Sequence, residues 1–322
     1  MFKKLFYVLT VLMIPAVFFS SCSSQKTEDG KLDIVCTVFP AYDWTREIIG
    51  ENENIRLTYL LESGADLHNF QPSADDMMKV SDCDIFVYVG GESDSWVDKA
   101  LENSRNKDMR VIELMDILSD KVKEEEVIEG MDEEHEDHDH ENEVEYDEHI
   151  WLSLKNAGIC VKNICNEICV ADPENSAVYT ENSRRYISEL QSLDNDFTEL
   201  FSNRDISMIF GDRFPFRYFT DDYGINYYAA FTGCSADTEA SFETITFLAE
   251  KADELDAGTI FAIENSDCTI AEAVIANTAS GDQKEAVLDS AQSVTSTQIK
   301  EGTTYLSIMK KNYDVLKEEF SQ

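Results

Sequence analysis

Two runs of alternating strands and helices, separated by one long helical segment, constrain the fold of this chain most strongly. In the first run, apolar segments such as IVCTVF and CDIFVYVG alternate with amphipathic segments and end near proline or glycine. A second run with the same alternation begins near residue 204. Strands that alternate with helices form parallel sheets with right-handed crossovers. The sequence therefore predicts an α/β protein with two lobes.

The predicted boundaries follow from this pattern. Residues 32–172 form a first α/β lobe, and residues 204–322 form a second one. Between them, residues 173–203 predict a linking helix that is long for a globular protein and starts at a proline, as helices often do. Ligands of open α/β sheets bind at the carboxyl ends of the strands. With two such lobes, we expect the binding site in the cleft between them.

The N-terminal segment predicts export and a lipid anchor. Residues 1–21 combine two lysines, an apolar run and small residues, which is typical of a signal peptide. The sequence FSSC resembles a bacterial lipobox, with Phe19 where leucine is usual, so Cys22 is the predicted lipidation site. Residues 22–31 then form a polar tether. This predicts a lipoprotein on the outer face of a bacterial cell membrane; the alternative is ordinary cleavage and a soluble secreted product.

The net charge of the chain limits the classes of molecule that it can bind. With 26 basic and 65 acidic residues, the formal net charge is −39, which excludes nucleic acid as a partner because phosphate binding needs a basic surface. The acids concentrate in residues 121–148, a segment too polar to offset its ordering entropy, so we expect a mobile surface loop. Three of the five histidines lie in that loop: His135, His138 and His140.

The other two histidines are the candidates for a primary metal site. His68 follows the second predicted strand, and His149 lies where the acidic run re-enters ordered structure. Neutral imidazole is a common nitrogen ligand of zinc, so two imidazoles that converge on one cleft would form a site. For His68 alone, a histidine in a surface loop is the alternative interpretation.

The motifs around these histidines resemble those of a known family. GADLHNFQPS, a His-rich acidic loop and DEHIWLSLKNA together resemble the zinc/manganese solute-binding lipoproteins of bacterial ABC importers, the metal-binding cluster A-I family. The resemblance covers nearly the whole chain after the leader. It implies two α/β lobes bridged by one long helix, with the metal in the cleft. It also implies a monomeric protein that captures Zn²⁺ and delivers it to an ABC permease; Mn²⁺ as cargo, or a surface adhesin with a metal site, are the alternatives.

The resemblance also implies a ligand set. His68 and His149 match the two ligands of the first lobe. The third family ligand, His or Glu, aligns with Arg213 in GDRFPFRYF, and arginine cannot ligate a cation because it has no acceptor. Its neighbour Asp212 is therefore the candidate for that position.

The fourth family ligand, a carboxylate after a late strand, matches Asp289 in AVLDSAQSV, and Glu264 at another strand end is a further candidate. Two imidazoles with two carboxylates suit Mn²⁺ better than three imidazoles would. The His-rich loop favours Zn²⁺ instead, because it would offer weak, multivalent capture near the cleft. HEDHDH is not the HExxH motif, since its second histidine is one residue too close, so we expect no metalloenzyme.

Overall fold

The first sheet consists of four short strands, each followed by helical structure. The strands are β1 (Leu32–Cys36), β2 (Ile55–Tyr59), β3 (Ile85–Tyr88) and β4 (Arg110–Glu113). In the computed structural model, which describes residues 30–131, 145–233 and 239–321, they run parallel in the order β2-β1-β3-β4. Every residue of β3 is buried, as expected for an inner parallel strand covered on both faces.

The second sheet repeats this topology. Its strands are β5 (Ser207–Phe214), β6 (Asn226–Thr232), β7 (Thr259–Ile263) and β8 (Lys284–Leu288). All pairs are parallel, and the order β6-β5-β7-β8 corresponds strand by strand to the first sheet. The predicted architecture of two α/β lobes with parallel sheets is confirmed.

Helices cover both sheets. They are α1 (Phe39–Ile49), α2 (Ala74–Asp82), α3 (Val97–Glu102), α4 (Leu114–Leu118), α5 (Leu154–Ala171), α6 (Ser176–Phe201), α7 (Arg217–Tyr223), α8 (Phe242–Glu254), α9 (Thr269–Asn277), α10 (Ser296–Lys300) and α11 (Tyr305–Phe320). The predicted long helix is confirmed as α6, which follows a 3₁₀ turn at Pro173–Asn175. Its 26 residues span about 39 Å at 1.5 Å per residue.

One face of α6 is buried along its whole length. The buried positions recur every three or four residues, which is the spacing of a single helical face, and they are Tyr179, Ser183, Tyr186, Leu190, Leu193, Phe197 and Phe201. This face packs against α1 and α5 of the first lobe and against α7 and α11 of the second. A single apolar stripe therefore contributes to the cores of both lobes.

Three hydrogen bonds join the lobes near the carboxyl ends of the strands. The backbone N–H of Tyr305, the first residue of α11, donates to Asp43 Oδ2 of α1 at 2.8 Å. The Tyr305 hydroxyl donates to the carbonyl oxygen of Trp151 at 2.5 Å, and Trp151 Nε1 donates to the carbonyl oxygen of Ser290 at 2.7 Å. The side chains of Asp43, Trp151 and Tyr305 are buried. These bonds therefore fix the segment around Trp151 relative to both lobes.

The ends of the acidic run differ from the prediction. Glu124 and Tyr146 form an antiparallel bridge, and the backbone N–H of Asp147 donates to the carbonyl oxygen of Lys123 at 2.9 Å. Met131 is buried, and Ile128 packs against the main core. The expectation of a mobile loop over the whole of 121–148 is wrong at these ends, because their few apolar side chains pack against the rest of the protein. His135, His138 and His140 lie outside the described residues.

The leader, the lipidation site Cys22 and most of the tether also lie outside the described residues. Among the helices formed by the residues that the structure does describe, none combines the length and the apolar character needed to cross a membrane.

A glycine on β5 sets the direction of the residues that follow it. The register between β5 and β6 shifts between Phe210 and Arg213, which marks a bulge. Gly211 lies in this bulge, and a Cβ atom there would come within 2.4 Å of Ala271 Cα in α9. Only glycine therefore allows α9 to approach β5 so closely, just before Asp212 and Arg213.

Replacing this glycine should destabilise the protein. We expect Gly211→Ala to lower the free energy of unfolding by about 1–3 kcal/mol, because the helix backbone must move away from the strand. Gly158→Ala in α5 is the matched control: its Cβ would meet only Ile187 Cγ2 at 4.0 Å, so the change should be neutral or stabilise by about 0.5–1 kcal/mol. Chemical denaturation measures both, and equal stability of the two variants would contradict this account of the bulge.

Candidate metal centre

His68 lies on a 3₁₀ turn, Leu67–Asn69, that both lobes hold in place. Asp66 caps the turn by accepting the backbone N–H of His68 at 3.1 Å. The other oxygen of Asp66 accepts Arg213 Nη1 at 2.8 Å, and Arg213 comes from β5 of the second lobe. Burial raises the pKa of Asp66, but the charge of Arg213 and further interactions outweigh it and hold this pKa below its usual range. The anchored carboxylate therefore stays ionised and fixes the position of His68.

His149 is fully buried at the start of the 3₁₀ turn Ile150–Leu152. Asp147 Oδ1 accepts both its backbone N–H, at 2.8 Å, and its ring Nδ1, at 2.9 Å. The carbonyl oxygen of Asp147 in turn accepts the hydroxyl of Tyr218 from α7 at 2.8 Å. This arrangement places the proton of the imidazole on Nδ1 and turns Nε2 away from the carboxylate.

The two histidines meet through the same ring atom. His68 Nε2 and His149 Nε2 lie 3.2 Å apart, and the ring centroids are 5.1 Å apart. His68 Nδ1, on the far side of its ring, contacts Ser93 Oγ at 2.8 Å and lies 3.7 Å from Glu148 Oε2. Both rings therefore direct Nε2 into one shared space, and polar groups contact both Nδ1 atoms.

The surroundings make the two imidazoles unequal as bases. Burial, and then the charge of His149, lower the pKa of His68 to about 3. Burial also acts to lower the pKa of His149, but Asp147 outweighs it through its charge and its hydrogen bond, so this pKa is raised overall. His149 is therefore the stronger base of the two and takes up a proton first. When it holds that proton, its Nε2–H can donate to the lone pair of His68 Nε2.

Asp212, the acid predicted as a ligand, bonds to two backbone groups of the second lobe. Asp212 accepts the backbone N–H of Arg213 at 2.8 Å on one oxygen and that of Ile263 at 3.3 Å on the other. It thus stabilises the bulge of β5 and its contact with β7. Arg213, which the motif resemblance aligned with the third family ligand, donates to Asp66 instead. Among the described residues, Asp212 does not join the two histidines in a group of three that could hold an ion.

Two more acids lie at the carboxyl ends of β7 and β8. Glu264 accepts the backbone N–H of Ser290 at 2.7 Å and its hydroxyl at 2.6 Å. Burial, and then the neighbouring Asp289, raise the pKa of Glu264 to about 7. Burial also raises the pKa of Asp289, although its Oδ1 accepts the backbone N–H of Ala291 at 2.8 Å. Trp151 links this pair of acids to the His149 turn through its bond to Ser290.

A complete set of metal ligands is not assembled here. Across residues 30–131, 145–233 and 239–321, no three side chains of His, Cys, Asp or Glu converge so that they could hold one ion. The two histidines are adjacent, and among these residues none of the acids Asp212, Glu264 and Asp289 completes a group of three with them.

A family model decides what kind of protein carries this site. The model described as ZnuA, the periplasmic zinc-uptake complex component A, matches residues 34–319. The chain belongs to the ZnuA family. The family predicted from the motifs around His68 and His149 is thereby confirmed.

Individual relatives agree with this assignment. The zinc-binding lipoprotein AdcA of Streptococcus pneumoniae is 33% identical over 326 residues, which cover 99% of this chain and 62% of AdcA. The chain thus spans less than two thirds of the AdcA proteins that it matches. The high-affinity zinc uptake system protein ZnuA of Bacillus subtilis is 29% identical and is covered to 98%.

Solved structures have the same fold. The Zn(II)-bound ZnuA-like domain of S. pneumoniae AdcA superposes with a TM-score of 0.70 at 28% identity, covering 91% of this chain and all of that domain. The metal-dependent lipoprotein YcdH of B. subtilis superposes with a TM-score of 0.71 at 26% identity, covering 90% of this chain and 99% of YcdH.

Sequence reasoning on this ZnuA-family chain did not single out the groups behind the histidines. Four residues contact the two turns or the Nδ1 atoms of the pair, and the motifs do not predict this role for them: Asp66, Ser93, Asp147 and Glu148. For three of the four, the available signal is their spacing, because they lie one or two residues before a histidine. Ser93 has no such signal, since it is 25 residues from His68.

The unequal basicity of the pair can be measured directly. In metal-free protein we expect His68 to remain neutral at about pH 5, whereas His149 should titrate above the ordinary histidine pKa of about 6.5. The sign follows from the surroundings: burial disfavours the charge on His68, and Asp147 stabilises the charge on His149. NMR of ¹⁵N-labelled histidines against pH reads both rings, with His68→Gln and His149→Gln as assignment controls. A common pKa near 6.5 for both rings would contradict this description.

Proposed function

We propose that this chain captures Zn²⁺ outside the cytoplasm and delivers it to an ABC permease. The observation that carries the proposal is the imidazole pair with facing Nε2 atoms, in which His149 is fully buried and the His68 side chain is 8% exposed. Membership of a zinc-uptake family supports it, as do relatives named as a zinc-binding lipoprotein and a high-affinity zinc uptake protein. The chain would act as a binding module that performs no catalytic step.

The spacing of the pair suits zinc. Two nitrogens bound to one tetrahedral Zn²⁺, each at about 2.05 Å, lie about 3.3 Å apart. The two Nε2 atoms are 3.2 Å apart before any ion is added. An incoming Zn²⁺ would replace the proton that His149 holds below its pKa, and the nitrogen spacing would already match. Since this proton must leave, apparent affinity should fall as the pH drops below the pKa of His149.

The remaining donors would come from the second lobe. We propose Asp289 as the fourth ligand, because it lies at the carboxyl end of β8 and only its Oδ1 is engaged by a backbone N–H among the described residues. Asp212 is the candidate for the third position, although both of its oxygens accept backbone N–H groups. Glu264 is the next candidate, and its two bonds to Ser290 make it the more constrained acid.

Mn²⁺ is the second candidate cargo. The observation that favours it is Arg213 at the position where the family has a third His or Glu ligand, since only carboxylates then remain to complete the set. Oxygen donors suit Mn²⁺ better than they suit Zn²⁺. Competition between the two ions on purified protein distinguishes these cargoes.

The cellular setting is proposed from the leader and the loop. Lipidation of Cys22 would anchor a monomeric protein to the outer face of the cell membrane, beside its permease. His135, His138 and His140 would bind zinc weakly and raise its concentration near the cleft, an effect that depends on several sites acting together.

Calorimetric titration with Zn²⁺ tests the assignment of the tight site. We expect His68→Ala and His149→Ala each to weaken the tight phase by at least about 100-fold, since losing even an outer-shell partner costs 10–100-fold. The control is deletion of residues 132–144, which spares the packed ends of the acidic run. That variant should lose only the weak phase. Loss of the tight phase in the deletion, or its survival in either alanine variant, would refute the proposed site.

The carboxylates can be ranked in the same assay. Asp289→Asn should weaken the tight phase by more than about 10-fold if its oxygen coordinates the ion. Asp212→Asn tests the third position, and Arg213→Ala is its neighbouring comparison, because arginine cannot ligate. If only Arg213→Ala weakens binding, the ion pair with Asp66 matters and Asp212 is not a ligand. If Asp289→Asn binds as the wild type does, Glu264→Gln is the next variant.

A further inference from the structure

Glu148 is a buried carboxylate with one oxygen left unpaired. Its side chain is 2% exposed, and Oε1 accepts the backbone N–H of Ser93 at 2.8 Å. Among the described residues, no donor lies within hydrogen-bond distance of Oε2, which is fully buried. A buried polar atom without a partner costs about 1–3 kcal/mol, and more when it is charged. Such an atom in a folded protein requires an explanation.

The unpaired oxygen points towards a histidine of the metal pair. Glu148 Oε2 lies 3.7 Å from His68 Nδ1, and Ser93 Oγ lies 2.8 Å from the same nitrogen. The far side of the His68 ring therefore faces one hydroxyl and one carboxylate. Nε2 is left facing His149.

The loop after β3 is shaped around this carboxylate. Gly91 has a φ of +85°, and a Cβ atom there would come within 2.5 Å of Glu148 Oε1. The following 3₁₀ turn, Glu92–Asp94, presents the backbone N–H and the hydroxyl of Ser93 to Glu148 and His68 respectively. The positive φ and the absent side chain at Gly91 both serve to admit Glu148.

Two consecutive acids thus lie on the Nδ1 side of the two histidine rings, away from the facing Nε2 atoms. Asp147 accepts Nδ1 of His149, and Glu148 lies behind Nδ1 of His68. A metal-bound histidine usually donates its other ring N–H to such a group, which fixes the tautomer and makes the ligand more basic. The Asp147-Glu148 dipeptide supplies this group for both rings from a single short segment.

We propose that Glu148 is a positioning residue, which together with Ser93 keeps the proton of His68 on Nδ1 and leaves the lone pair of Nε2 directed at the cation. This inference rests on the proposed function of the pair as a metal site. The competing interpretation is that Glu148 only stabilises the loop after β3 through its bond to Ser93 N–H.

Glu148→Gln separates these interpretations, because it keeps the size of the side chain and replaces one carboxyl oxygen with an NH₂ group. The amide group of glutamine can donate to Nδ1, which would favour the unwanted tautomer with its proton on Nε2. We expect a population of that tautomer in metal-free protein, read from the ¹⁵N shifts of the His68 ring. We also expect zinc affinity to fall by about 10–100-fold.

Asp84→Asn is the matched control. Asp84 is also a buried carboxylate, and it accepts the backbone N–H of Asp33 at 2.9 Å. It lies just before β3, at the amino-terminal ends of the strands, whereas the histidines lie near the carboxyl ends. Its replacement should lower the free energy of unfolding without changing the His68 shifts or zinc affinity. Ser93→Ala, which removes the hydroxyl but keeps the backbone N–H, should shift the His68 tautomer in the same direction as Glu148→Gln.

The outcomes can be told apart. A changed His68 tautomer and weaker zinc binding in Glu148→Gln, with neither in Asp84→Asn, would support the proposal. Unchanged His68 shifts in Glu148→Gln would overturn it, whatever happens to stability. If the wild type itself bound no zinc, the proposed function would fail, but the tautomer measurement on metal-free protein would still decide the role of Glu148.

Discussion

The contact between His68 Nε2 and His149 Nε2 depends on removing both rings from water. Burial alone would simply favour two neutral rings and leave their orientation open. Asp147 breaks that symmetry, because it accepts Nδ1 of His149 and stabilises a proton on that ring. The first proton that the pair takes up is therefore held by His149, beside the lone pair of His68 Nε2.

Most of the surrounding structure serves to hold that contact. Parallel sheets with the same strand order place the carboxyl ends of their strands at the cleft, so loops from both lobes reach it. The His149 turn is held by Tyr218 from the second lobe and by Trp151, which bonds to Ser290. The His68 turn is held by the Asp66–Arg213 pair. Each histidine is thus positioned by groups from the opposite lobe as well as from its own.

Arg213 brings a positive charge close to the histidine pair, which a neutral side chain at the same position would not do. Its guanidinium adds a permanent positive charge near His68, which contributes to the low pKa of that ring. Asp66 places a counter-charge 2.8 Å from this guanidinium. The chain thus has an interlobe ion pair at the position that the motif resemblance aligned with a third family ligand.

Much of this protein could be predicted from its sequence. Periodicity and breakers are local properties, so the alternation of strands and helices sufficed for two parallel-sheet lobes and the long helix. The motifs around His68 and His149, together with the position of His68 after a predicted strand, sufficed to select both as candidate metal ligands and to identify the family. The predicted acidic loop was too long, because local composition does not show that Ile128 packs against the core or that Met131 becomes buried.

Only the tertiary structure decided which atoms face each other. His68 and His149 are 81 residues apart, and the sequence does not say that they meet through Nε2 or that Glu148 and Ser93 lie behind one of them. Nor does it show that the bulge at Gly211 turns Asp212 inwards while Arg213 reaches the other lobe. The physical reason is that hydrogen-bond partners and desolvation depend on the packing of distant segments, whereas residue type and spacing describe only the local chain.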